Sequence, residues 1–168
     1  MTAVPDLTAD LIGALTAAGL TIAVAESLTG GLLTAELIRI PGASLCVNGG
    51  VVAYQTELKH TLLGVDPALL AEHGPVHPEV AIQMARGVRT RLSTAGRDAD
   101  LGIATTGVAG PDPQGGHPVG TVFLGLSRGG EGWAIPLRLA GDRAAIRAQT
   151  VARAVEAVHT LIAGSRPE

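Results

Sequence analysis

Short apolar runs alternate with helical segments along this chain, and that alternation limits its fold more than any other feature. Residues 21–25, 47–54 and 101–105 read as strands, each a brief apolar or β-branched run bounded by turn residues. Residues 7–18 place Leu7, Leu11, Ile12 and Leu15 at helical spacing, and residues 28–38 read as a second helix ended by Pro41-Gly42. Gly49-Gly50 inside the second strand marks a bulge or a close backbone approach. Two short helices are expected over 55–63 and 66–72, the latter broken by Gly74-Pro75. A longer helix follows over 78–92, with Pro78 in its first turn. Residues 119–126 and 133–139 read as strands joined through Arg128-Gly129-Gly130 as a hairpin. The last helix spans 142–164, with Val151, Val155, Val158 and Ile162 as its apolar stripe. Strands alternating with helices, plus one late hairpin, predict an α/β fold, a three-layer α/β/α sandwich around a mixed, mostly parallel sheet. Ligands bind such sheets beyond the carboxyl ends of the parallel strands. Ser27, Tyr54 and Thr106 all fall at or just past predicted strand ends.

The bulk properties narrow the class. A chain of 168 residues fits one domain over 1–168, which buries about 70% of the surface its unfolded form exposes. Its 46% hydrophobic content supplies a core without disulfides, and Cys46 is the sole cysteine, which suits a reducing compartment. The net charge of -3 and the scarcity of aromatics (Tyr54, Phe123, Trp133) argue against a nucleic-acid partner. Residues 11–25 imitate a secretion signal ending in Ala23-Val24-Ala25. Yet Asp6 and Asp10 stand where a basic region belongs, and Arg39 is the first basic residue. The run is also short for a bilayer span. A cytoplasmic protein with no membrane partner is expected. His73 and His77 are separated by a Gly74-Pro75 break, and His60, His117 and His159 are scattered, so no metal site is expected.

Ser27 lies between a strand and a helix, in Ala25-Glu26-Ser27-Leu28-Thr29-Gly30-Gly31. As a plain helix N-cap it needs no further role. Alternatively, glycines at a helix start let a ligand approach the backbone, whose free N–H groups can hold an anion beside the hydroxyl. The chain has neither the Gly-x-Ser-x-Gly elbow nor a Walker A loop. Lys59 is the only lysine among twelve basic residues. Lysine and arginine exchange freely on a solvated surface, but only lysine can act as a base when desolvated. It is therefore either a leftover surface charge or the partner that activates a serine. Tyr54 is a plain strand end or a relay that orients Lys59. Thr105-Thr106-Gly107-Val108-Ala109-Gly110-Pro111 closes a strand and opens the loop 107–118. There Thr106 can donate to a reacting oxygen or to Ser27 while Gly107, Ala109 and Gly110 allow close contact, or the segment is an ordinary turn. Residues 112–117 have the composition of a lid. Arg143 and Arg147, one turn apart, either pair with carboxylates such as Asp142 or clamp a phosphate.

These motifs together resemble one family. Ala25-Glu26-Ser27-Leu28-Thr29-Gly30-Gly31 is similar to the Ala-Glu-Ser-Cys-Thr-Gly-Gly signature of the CinA C-terminal domain, the nicotinamide-nucleotide amidase family. The similarity continues through Pro41-Gly42-Ala43-Ser44, Gly49-Gly50-Val51-Val52-Ala53-Tyr54, Lys59 and Leu63-Gly64-Val65. It resumes in Thr106-Gly107-Val108-Ala109-Gly110-Pro111, Pro118-Val119-Gly120-Thr121-Val122 and Gly141-Asp142-Arg143, so it covers residues 7–163. The resemblance implies hydrolysis of nicotinamide mononucleotide to nicotinic acid mononucleotide and ammonia, with no cofactor or metal. It implies Ser27 as nucleophile, Lys59 as its base and Tyr54 and Thr106 as supporting polar groups. Substrate contacts would come from Glu26, Thr29, Gly30, Gly31, Gly107, Ala109, Gly110, Arg143 and Arg147. A small-molecule nucleotide is the implied partner, and a homo-oligomer the implied assembly. Leu28 stands where the signature has Cys, which removes any essential thiol but leaves the serine scheme intact. We expect no counterpart of the large N-terminal domain of full-length CinA proteins, and its competence or pyrophosphatase roles are not carried over. The rival reading is a non-catalytic nucleotide-binding module of the same fold.

Overall fold

The computed structural model describes residues 6–165. Helix α1 (Leu7–Ala18) is capped by the Asp6 carboxylate, which accepts from the Thr8 and Ala9 N–H groups, and it closes on Gly19 at φ 66°. Next come strand β1 (Ile22–Glu26), helix α2 (Leu32–Ile38), a 3-10 turn at Ala43–Leu45 and strand β2 (Val47–Val52). Short helices α3 (Thr56–Thr61) and α4 (Pro67–His73) precede the longer α5 (Pro78–Arg91). Strands β3 (Leu101–Gly107), β4 (Thr121–Arg128) and β5 (Glu131–Arg138) lead into the final helix α6 (Arg143–Ile162).

The strands form one sheet in the order β2-β1-β3-β4-β5. β1 lies parallel to both β2 and β3, and β4 is antiparallel to both β3 and β5. β4 alone runs against the others, so the sheet is mixed, as the sequence predicts, with two parallel and two antiparallel pairings. Along β1 the side chains alternate between the two faces. Ile22 and Val24 join Leu11, Leu15, Ile103 and Leu124 under α1 and α6. Ala23 and Ala25 face Val80, Met84 and Val88 of α5. That second face is built from small residues, and α5 settles onto it at backbone distance. A Cβ at Gly102 would collide with the Ala85 carbonyl, and one at Gly125 with the Ala81 carbonyl. Among the described residues no helix is long and apolar enough to cross a membrane.

Several boundaries differ from the sequence expectation, each for a local reason. The predicted helix over 28–38 starts only at Leu32, because residues 27–31 form a turn ending on Gly31 at φ 100°. Strand β2 stops at Val52 instead of reaching Tyr54. Its bulge is real: Ile22 pairs with Val47 but Ala23 with Gly49, which makes Asn48 the extra residue. Gly50 beside it is a close approach, since a Cβ there would collide with Thr34. The hairpin turn is Gly129-Gly130, so Arg128 pairs with Glu131 and both strands shift from the predicted spans. The stripe of α6 is also rotated. Val155 and Val158 are buried as expected, and Ile146, Thr150, Ala154, Ala157 and Leu161 are buried with them, while Val151 and Ile162 are half-buried. The smaller Ala and Thr side chains face inward, where the helix lies near the sheet.

The two kinds of glycine respond differently to a methyl group. Gly125→Ala forces α5 off the sheet and costs roughly 1–3 kcal/mol, read as a lowered melting temperature. Gly13→Ala, in α1 with no atom within 4 Å of the new Cβ, raises it by about 0.5–1 kcal/mol equivalent.

Candidate active site

The carboxyl ends of β1, β2 and β3 meet at one cleft of about 270 Å³, lined by Ser27, Leu28, Lys59, Thr106, Ala109 and Arg143 among others. Glu26 ends β1 and is fully buried. Its carboxylate accepts from the N–H groups of Gly31 (3.0 Å), Leu33 (3.0 Å) and Thr34 (2.8 Å) and from the Thr34 hydroxyl (2.6 Å). The anion site expected of Thr29-Gly30-Gly31 is therefore already occupied by the chain's own side chain. Ser27 does not cap the helix either, because Gly31 holds the N-cap position. Glu26, Thr29, Gly30 and Gly31 lie outside the cleft lining. They shape the turn that presents Ser27.

Ser27 is held by its backbone. Its N–H donates to the Thr105 carbonyl at 3.0 Å and to the Thr105 hydroxyl at 3.3 Å. Thr105 in turn shares a 2.8 Å hydroxyl bond with Thr29. The Ser27 side chain then meets Lys59, whose Nζ lies 3.0 Å from Oγ. Helix α3 carries this lysine inward, and it is 1% exposed. Its other partners are backbone carbonyls, Ala53 at 2.8 Å and Tyr54 at 3.4 Å. No carboxylate pairs with it among the described residues. Burial disfavours its charged form and lowers its pKa to about 8. A neutral amine keeps two N–H donors and one lone pair. With both donors directed to the Ala53 and Tyr54 carbonyls, the lone pair is left for the Ser27 hydroxyl proton.

The remaining predicted residues are placed less simply. Thr106 is buried in the cleft wall, but its hydroxyl donates to the Pro75 carbonyl at 2.6 Å, not to Ser27. It fastens the residue 74–76 turn, which supplies Pro75 and Val76 to the lining. Tyr54 stands at the mouth, 55% exposed, and its hydroxyl receives Arg143 Nη2 at 3.1 Å. Arg143 also donates to the Gly110 carbonyl at 2.7 Å, which joins the start of α6 to the loop after β3. Gly107, Ala109 and Gly110 line the cleft as expected. Arg147 does not, because its guanidinium is spent on the Leu28 carbonyl at 2.9 Å and the Thr29 carbonyl at 3.1 Å. Gln55, Thr56, Asp112 and Gln114 also line the cleft. Of these the sequence pointed only to the 112–117 loop. His73 and His77 do meet, with rings stacked at 4.5 Å across the intervening turn. Among the described residues no group of three His, Cys, Asp or Glu could hold a metal.

Comparison with known proteins places this geometry in a family. Residues 5–162 match the model of the CinA C-terminal domain. A CinA-like protein from Frankia casuarinae is 48% identical over 155 residues, 92% of this chain and 34% of that protein. Another from Dictyoglomus turgidum is 42% identical, over 79% of this chain and 31% of its own length. The chain thus spans about a third of the length of these curated relatives. Among solved structures, a competence-damaged protein (CinA) superfamily protein from Klebsiella pneumoniae superposes with TM-score 0.87 at 34% identity, covering 94% of this chain and 96% of that one. The competence/damage inducible protein CihA from Agrobacterium tumefaciens gives TM-score 0.83 at 35% identity, over 97% and 98% of the two chains. The serine–lysine cleft at the end of the parallel strands is carried on a chain that belongs to the CinA C-terminal domain family.

Proposed function

We propose that this protein is an amidohydrolase that converts nicotinamide mononucleotide to nicotinic acid mononucleotide and ammonia through an acyl-enzyme on Ser27. The observation that carries the reading is the buried Lys59 amine 3.0 Å from the Ser27 hydroxyl, with its other hydrogen bonds made to carbonyls. Neutral Lys59 takes the Ser27 proton as Oγ attacks the carboxamide carbon. The resulting ammonium gives that proton to the departing nitrogen, and the C–N bond breaks to release ammonia. Water then enters, Lys59 accepts its proton, and the ester to Ser27 is cleaved to the free acid as Lys59 returns that proton to Ser27 Oγ. Arg143 has no carboxylate partner among the described residues. Its guanidinium is available at the cleft mouth for the nucleotide phosphate, steadied there by Tyr54 and Gly110. The substrate itself comes from the family resemblance of the motifs.

Ammonia release from the mononucleotide tests the reading. Ser27→Ala and Lys59→Met each lose on the order of 10⁴-fold in kcat, while Kd for the nucleotide changes by about twofold. Full turnover by either variant overturns the assignment. Binding with no turnover by the wild type instead supports a non-catalytic nucleotide module.

Lysine 59 also sets the pH dependence. Its folded pKa of about 8 lies below the ordinary lysine value, so kcat/KM rises with pH and levels off above about pH 8. The unfolded chain binds the extra proton between about pH 8 and the ordinary lysine value of 10.5. Stability from this group therefore increases with pH across that window and is lost as pH falls through it. Lys59→Met removes that slope in denaturant titrations repeated across the range.

A further inference from the structure

Acyl transfer develops negative charge on the substrate carbonyl oxygen, and donors already in place stabilise it best. A buried backbone N–H without an acceptor is rare in a folded protein. Several amides in and beside the cleft are committed. Ser27 N–H donates to Thr105, Gly30 N–H to the Ser27 carbonyl and Val108 N–H to the Thr121 carbonyl. Leu28 and Ala109 break the pattern. Both line the cleft, each is 4% exposed, and among the described residues neither N–H has a protein acceptor. Val76 N–H is unmatched as well, and Val76 lines the cleft at 4% exposure, but it sits on the connection between α4 and α5 and not on the turns that follow β1 and β3. Thr29 N–H is also unmatched but Thr29 does not line the cleft, and the unmatched Gly110 belongs to a half-exposed residue.

Both amides are oriented from behind. A trans peptide sets its N–H opposite its C=O. The Ser27 carbonyl is fixed by Gly30 N–H at 3.1 Å, which fixes the Leu28 N–H in the opposite direction. The Val108 carbonyl is fixed by Gly120 N–H at 2.8 Å, which does the same for Ala109. The next two peptides of the turn are held by Arg147 through the Leu28 and Thr29 carbonyls, and Gly30 leaves room for that guanidinium.

We propose that the N–H groups of Leu28 and Ala109 form the oxyanion hole, with Arg147 as the positioning residue that keeps the first of them rigid. The proposal rests on the acyl-transfer reading above. A backbone donor is indifferent to the side chain it belongs to, so leucine serves at position 28.

An aldehyde analogue of the mononucleotide, with formyl in place of carboxamide, isolates this step. Ser27 Oγ adds to the formyl carbon, its proton passes to Lys59, and the carbonyl π pair becomes the hemiacetal alkoxide. With ¹³C in the formyl group and ¹⁵N in the full chain, we expect the carbon signal to move into the hemiacetal range. The Leu28 and Ala109 amide protons then show the largest downfield shifts. A hemiacetal that moves other amides overturns the assignment while leaving acyl transfer standing. A bound aldehyde that stays an aldehyde overturns the acyl-transfer reading, and this proposal with it. Arg147→Met keeps the fold, checked by its melting curve, and loses about tenfold or more in kcat with KM within about twofold. Arg147→Lys recovers part of that loss. A phosphate-binding role would instead raise KM with kcat unchanged, and that result overturns the positioning role.

Discussion

A single buried carboxylate organises the cleft end of the sheet. Glu26 closes the interior strand β1 and turns its carboxylate onto the first N–H groups of α2, where the unpaired donors of a helix end favour an anion. Its two oxygens accept four hydrogen bonds, which compensates for removing a charge from water. Because strand and helix are tied at this point, residues 27–31 have one conformation open to them. The turn is pinned again by Thr105 from β3 and by Arg147 from α6. Three elements far apart in sequence thereby fix one serine.

Lys59 shows why this site uses lysine in a chain otherwise supplied with arginine. A guanidinium stays charged when buried and would meet the Ser27 hydroxyl only as a donor. An ammonium without a carboxylate partner loses its proton more readily as it is desolvated, and the Ala53 and Tyr54 carbonyls then select which way the lone pair faces. Burial and hydrogen bonding thus act on different properties of the same group. The first sets its protonation, the second its direction.

Much of this was legible in the sequence, and the failures have a common cause. The strand-end positions of Ser27, Tyr54 and Thr106 follow from apolar runs broken by turn residues, and a solitary lysine is visible in composition. The early start given to α2 failed because Ser27 and two glycines are good helix-start residues in isolation, whereas a carboxylate just upstream takes the same N–H groups. An acidic residue immediately before such a turn was the available signal. Arg147 lies outside the cleft lining for a similar reason. Spacing along α6 put it beside Arg143, but only the tertiary arrangement brings it to the carbonyls of residues 28 and 29. Thr106 is the intermediate case. It sits in the wall of the cleft, yet its proton goes to Pro75, a contact between segments that local sequence does not encode. The α6 stripe was half legible: Val155 and Val158 are buried, but the buried face also takes in Thr150, Ala154 and Ala157, whose small side chains give no apolar signal in sequence.

The central claim is that Ser27 becomes covalently acylated during turnover. Acid quenching of the protein with nicotinamide mononucleotide during the first turnovers, followed by mass analysis of the intact chain and its peptides, tests it directly. The account predicts an adduct equal to the acid mononucleotide less one water, located on the peptide that contains Ser27. Product formed at the full rate with Ser27 never acylated, or an adduct on another residue, would contradict it.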